Sequence, residues 1–250
     1  MKILLITLLF LSFSVQAAIS IISDLDDTIK ITQASGDLGD LLGHDVYTGM
    51  PQFLKSARDY TEDLYVLSAS PSFLRSKIVK DFEKRGIKYE GLILRSNVFE
   101  DKFDYKVREI SRILNRIQDE FILLGDDWGD DPEVFDEIMR LFPGRVLESY
   151  IHVVKGRQIP ASVVPYWTSF DLYLKEFEAA RMKQSRVKTA FRTIKGEQDM
   201  EMIFPKEAQC PTEGSGWEWQ LATIFAREAQ SLIKHFTTFC QARQSVNILP

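Results

Sequence analysis

Histidine and cysteine are scarce in this chain of 250 residues, with three of the first and two of the second. Two cysteines far apart in sequence, Cys210 and Cys240, in a chain so poor in histidine argue against a zinc site. His44, His152 and His235 lack partner spacing as well, so none is expected in a metal site. There is no excess of positive charge. A net charge of -5 argues against a nucleic-acid binder, although a local basic patch could still meet an anionic ligand. Internal repeats and low-complexity segments are absent, and no apolar run reaches the roughly 20 residues of a comfortable membrane span. The longest such run, in "MKILLITLLFLSFSVQAAIS", follows a single Lys and ends in the small-residue spacing Val15-Gln16-Ala17. That pattern is a secretory leader cleaved near Ala17, with an uncleaved anchor as the alternative. The expectation is an exported protein, periplasmic or secreted, with a mature chain from Ala18. No Cys near the cleavage point supports a lipoprotein anchor. In an exported chain an even cysteine count permits one disulfide, so a Cys210–Cys240 bond is expected over two separate thiols.

What is present is ordinary for a folded chain: 45% apolar and 27% charged residues, enough for one sizeable core. Short apolar runs alternate with amphipathic stretches. Strands are expected at 19–23, 64–71, 91–95 and 121–127, with a fifth starting at Arg145. Helical spacing covers 51–59, the stretch "SFLRSKIVKDFEKRG", the stretch from Tyr105 and the one opening at Pro132, a residue suited to a first helical turn. This alternation predicts an α/β, Rossmann-like parallel sheet with helices on both faces. The core is expected over 18–155, and residues 156–250 as a helical extension packed on it. Within that extension Thr168 and Asp171 have capping-box spacing. The stretch from Arg181 to Lys195 sets Val187, Ala190, Phe191 and Ile194 beside a basic face. That face could lie on an anionic membrane surface or stand in solvent above a packed apolar side.

The chemistry gathers at the strand ends. "SDLDDT" (23–28) crowds Asp24, Asp26 and Asp27 together, and like charges so close need a positive partner. An Asx turn alone explains most such clusters. A second acid cluster, "GDDWGDD" (125–131), follows another buried strand, and the edge shared by the strands' C-terminal ends is where open α/β sheets bind ligands. A divalent cation accounts for both clusters, and hard carboxylate oxygens suit Mg²⁺. Ser68 ends the second strand and Lys106 sits early in an amphipathic helix.

In this order the four pieces resemble the haloacid dehalogenase superfamily: "DLDDT" for its first motif, Ser68 for its second, Lys106 for its third and "GDDWGDD" for its fourth. More narrowly, "SDLDDTIKIT", "LSASPSFL", "DYKVREISRIL", "LLGDDWGDDPEVFDEI" and "FPGRVLESYI" resemble the catalytic domain of the actin-patch-type phosphatidate phosphatases. The chain departs from that pattern at Ser72-Phe73 and at His152, where the family has an aromatic and Arg respectively. The resemblance implies a Mg²⁺-dependent phosphatase with Asp24 as nucleophile, forming an aspartyl-phosphate, and Asp26 as acid and base. Ser68 and Lys106 would bind the transferring phosphoryl oxygens. The metal shell implied is Asp24, Asp26 through its carbonyl, Asp126 and Asp131, with Asp130 as the alternative to Asp131. Asp127 would stand just outside that shell, and Asp27 and Thr28 would hold the turn.

The gaps between motifs leave no room for a large cap domain. The implied substrate is a phosphate monoester, with phosphatidate or a related lipid phosphate at a membrane surface as the first expectation. An exported phosphatase for nucleotide or sugar phosphates is the alternative, and an inactive phosphatase-fold binding module is another. A carboxylate-pair glycosidase fits poorly with the hydroxyl and lysine at neighbouring strand ends. Oligomeric state is not legible.

Overall fold

The computed structural model describes residues 17–32, 45–206, 208–211 and 223–246. All but the last residue of the expected leader, and His44, lie outside them.

Six strands form one wholly parallel sheet in the order β3-β2-β1-β4-β5-β6. They are β1 (Ile19–Ser23), β2 (Leu64–Pro71), β3 (Gly91–Arg95), β4 (Glu120–Asp126), β5 (Val146–His152) and β6 (Val164–Tyr166). The helices are α1 (Met50–Ala57), α2 (Arg75–Arg85), α3 (Lys102–Arg116), α4 (Asp131–Leu141), α5 (Ser169–Glu178), α6 (Gln184–Lys195) and α7 (Ala226–Val246). No large cap interrupts them among the described residues.

The strands are apolar on both sides because both sides are covered, and a strand's side chains alternate between faces. Ile21, Val66, Leu92, Ile122 and Tyr150 point to one face, where α1, α2 and the C-terminal helices lie. Ile22, Leu67, Phe121, Leu123 and Ile151 point to the other, where α3 and α4 lie. Full burial of one such side chain stabilises the fold by about 1.5–3 kcal/mol.

The C-terminal region joins the first core layer rather than standing apart. Phe170 and Tyr173 of α5, Val187 and Ile194 of α6 and Phe236 of α7 are buried in the same cluster as Ile21 and Phe53. The apolar side of α6 is therefore already occupied, and Lys188, Arg192 and Lys195 face solvent. The extension is not wholly helical: β6 pairs with β5 in parallel and extends the sheet beyond residue 155. Three residues with a central proline, Val-Pro-Tyr, carry too little pattern to announce a strand, and proline is tolerated at this edge position. Asp171 accepts the amides of Trp167 (2.7 Å) and Thr168 (2.9 Å) at the start of α5. Cys210 and Cys240 are disulfide-bonded, tying α7 to the segment after α6.

Candidate active site

The site lies at the C-terminal edge of the sheet, where β1, β2 and β4 stop. After β1 the chain curls tightly: the amides of Ile29 and Lys30 both donate to the Leu25 carbonyl, at 3.0 and 2.9 Å. Asp27 takes the left-handed conformation this curl needs, with φ 57°, which aspartate tolerates better than most residues. Its carboxylate accepts the Thr32 amide (3.0 Å) and hydroxyl (2.8 Å), so it holds the turn. Asp24 and Asp26 consequently diverge into different partnerships.

Asp24 faces Asp126, at the end of β4, and Asp131, at the start of α4. One carboxylate oxygen from each lies within 4.8 Å of the others, and all three residues are buried. Lys106, on α3, donates to Asp24 (2.8 Å) and, in a short contact, to Asp131. Gly125 makes the last approach feasible, since a Cβ there would lie 2.6 Å from Asp131 Oδ2. Asp126 is fixed by the amides of Trp128 (2.8 Å) and Gly129 (3.3 Å) and by the Thr28 hydroxyl (3.3 Å). Thr28 thus holds a site acid as well as sitting in the turn.

The charges are unbalanced. Three carboxylates share one ammonium. Burial pushes the Asp24 carboxyl well above its ordinary range, against the pull of Lys106. Asp126 is raised by burial and by Asp131, again against Lys106. Burial works to lower the Lys106 pKa, but Asp131 and Asp24 outweigh it and the ammonium is held above its usual value. Oxygen donors this close, with surplus negative charge and little water, fit a hard divalent cation.

Asp26 turns to β2. Its Oδ2 accepts the hydroxyls of Ser68 (2.8 Å) and Ser70 (2.6 Å), while its Oδ1 is buried without a hydrogen-bond partner. The Ser68 hydroxyl also accepts the Ser70 amide at 2.9 Å.

Two sequence expectations need correction. Asp127 does not stand beside the acids as an outer support for a metal. Its carboxylate accepts four consecutive amides, Val154 and Lys155 at 2.7 Å each, Gly156 at 2.6 Å and Arg157 at 3.2 Å, and so anchors the chain after β5. Asp130, the alternative to Asp131, is exposed at the N-cap of α4 and outside the cluster. His152 also has a structural setting: Nδ1 lies 2.7 Å from the Asp27 carbonyl, and burial lowers its pKa.

Other residues of the site were not singled out from sequence. A cleft of about 330 Å³ opens above the acids, and Ser70, Arg95, Val98, Lys102 and Trp128 help to line it. The Ser-x-Ser spacing of 68 and 70 places both hydroxyls on one side of a strand, a signal that was available. Arg95 ends a buried strand at the same sheet edge as Asp24, Ser68 and Asp126.

With this geometry in place, the family match has a physical counterpart. Residues 19–153 match the model of the phosphatidate phosphatase APP1 catalytic domain, which spans β1 through β5 and every acid of the cluster. The chain belongs to that family. It is 31% identical over 150 residues to phosphatidate phosphatase APP1 of Saccharomyces cerevisiae, a match covering 53% of this chain and 25% of that protein. The chain therefore spans about a quarter of the length of this curated relative. Solved structures match more loosely. A chain of the Pnkp1/Rnl/Hen1 complex is 19% identical with a TM-score of 0.42, over 52% of this chain and 45% of that one. Phosphoserine phosphatase from T. onnurineus is 13% identical with a TM-score of 0.37, over 60% of this chain and 90% of that one.

Proposed function

We propose that this protein is a Mg²⁺-dependent phosphomonoesterase that works through an aspartyl-phosphate on Asp24, with a lipid phosphate such as phosphatidate as substrate. One observation carries the reading: Lys106 is clamped between Asp24 and Asp131 inside a buried cluster of three carboxylates. Such a cluster is costly without a ligand, and a cation plus a phosphoryl group is the ligand that uses all of it.

The residues divide the work as follows. Asp24 would attack phosphorus, forming a new P–O bond as the ester P–O bond breaks. Asp26 would give its proton to the departing oxygen. Its Oδ1, buried and unpartnered, is the oxygen available to carry that proton. The deprotonated Asp26 would then take a proton from water, whose oxygen bonds to phosphorus and releases Asp24. Lys106 would hold phosphoryl oxygens and keep Asp24 from repelling them. Ser68 would do likewise once its hydroxyl turns from Asp26. Asp24, Asp126 and Asp131 would hold Mg²⁺, whose contribution is neutralisation of charge on the transferring group.

A lipid ester is favoured by the cleft's own wall. Ala69, Pro71, Val98 and Trp128 line it, and Phe99 beside Val98 is 93% exposed. The relative's name points the same way. Membrane contact through the basic side of α6 is not needed for this, because the cleft's rim supplies apolar groups. Among the described residues no helix is long and apolar enough to cross a membrane. Export through the N-terminal leader belongs to the same proposal.

Phosphate release from a short-chain phosphatidate and from a sugar phosphate, each with Mg²⁺ and with chelator, tests it. The expectation is Mg²⁺-dependent release favouring the lipid. Preference for the soluble ester would remove the lipid assignment, and no release from either by folded protein would remove the phosphatase.

A further inference from the structure

Arg95 is the last residue of β3 and only 9% exposed. Its Nη1 donates to the Glu100 carbonyl at 2.9 Å, which fixes one end of the guanidinium against the loop leading to α3. Its Nε is buried and has no hydrogen-bond acceptor. Among the described residues Arg95 makes no ion pair. A guanidinium is always charged, so one taken out of water without an anion is incomplete. The contrast with other enclosed cations is direct: Lys106 meets Asp24 and Asp131, and Arg181 meets Glu176 at 2.7 Å.

Its position says which anion it could meet. Arg95 lines the same cleft as Asp24, Lys102 and Lys106. In the sheet, β3 is separated from β1 only by β2, which brings Ser68 and Ser70 between Arg95 and the acids. Lys106 already serves two carboxylates, so an incoming phosphate dianion needs cationic donors beyond it.

We propose that Arg95 is a substrate-binding residue that receives oxygens of the phosphate ester on the free edge of its guanidinium. Lys102 adds charge at the same wall. Arginine suits this role because its planar fork can give two parallel hydrogen bonds to one phosphate, which a lysine cannot. The inference deepens the phosphatase reading and rests on it for the identity of the anion.

Calorimetric titration of the full chain with inorganic phosphate, in Mg²⁺, tests this without turnover. Arg95→Gln should weaken phosphate binding by about tenfold or more, the scale of one lost charge-assisted contact, and Arg95→Lys should fall between it and the parent. A purely structural arginine would instead lower the melting temperature and leave phosphate affinity where it was. If Arg95→Gln does not fold, Arg95→Lys decides: a loss of about threefold or more supports the site, on the same conversion of energy to affinity. Affinity unchanged in either folded variant, or a parent that binds no phosphate at millimolar concentration, overturns the proposal. Phosphate held through Arg95 by a protein that cleaves no ester would leave this site standing and remove the phosphatase. Hydrolysis with phosphate affinity unaffected by Arg95→Gln would do the reverse.

Discussion

Replacing Lys106 by methionine keeps most of the side chain's length and removes its charge. In the parent the ammonium donates to Asp24 at 2.8 Å and to Asp131, both of them almost fully buried. Removing one partner of a buried ion pair costs about 3–5 kcal/mol, because the remaining charge stays enclosed. For a chain of this size about 2–4 °C accompanies each kcal/mol, so the melting temperature in chelator should fall by roughly 6–20 °C. The sign of the pH dependence follows from the carboxyls. Asp24 is already raised by burial, and Lys106 is the group that pulls it down. Without Lys106 it rises further, so the folded state holds a proton that the unfolded state has lost. Stability then decreases as pH increases from the ordinary carboxyl range upward. The deficit of Lys106→Met should therefore be larger at pH 8 than at pH 5, and Mg²⁺ should restore part of it. Thermal and urea unfolding followed by tryptophan fluorescence, with and without Mg²⁺ at both pH values, read all of this. A variant as stable as the parent in chelator at pH 8 would refute the picture of a charge-starved acid cluster.

Two further perturbations follow from named contacts. Asp127→Asn keeps one acceptor oxygen but turns an amide group toward two of the four donors at 154–157, and should cost about 3 kcal/mol or more in urea unfolding. Asp171 is pushed up to about 7 by burial, so it holds a proton in the folded state over a range where the unfolded state does not. Stability should decline between about pH 4 and 7 by up to about 1.4 kcal/mol per unit from this group. Asp171→Asn, which retains the capping oxygen, should flatten that decline, and denaturant midpoints across the range would show it.

The sheet was legible because its strands are covered on both faces and so read as apolar runs. Their alternation with amphipathic helices left little choice but a parallel order. The acids were legible because each follows such a run directly. What escaped was determined by packing across the chain. Nothing in "GDDWGDD" says which aspartates turn inward. Asp131 enters because Gly125 leaves it room, and Asp127 turns away because four amides 27–30 residues later converge on it. Ser68 is a strand-end hydroxyl as expected, yet its partner is Asp26, a bond that depends on the curl set by Asp27. β6 was invisible because three edge residues carry no period. Arg95 obeys the strand-end rule, but a single charge closing a strand has no second acid or hydroxyl beside it to mark it as part of a site.

The most direct test of the account is where the phosphoryl group goes. Protein quenched in acid during turnover of phosphatidate with Mg²⁺, digested and mapped by mass spectrometry, should carry phosphate on the peptide containing Asp24. Asp24→Asn should carry none and release none. Turnover that persists in Asp24→Asn, or a phosphoryl group found on any other residue, would contradict it.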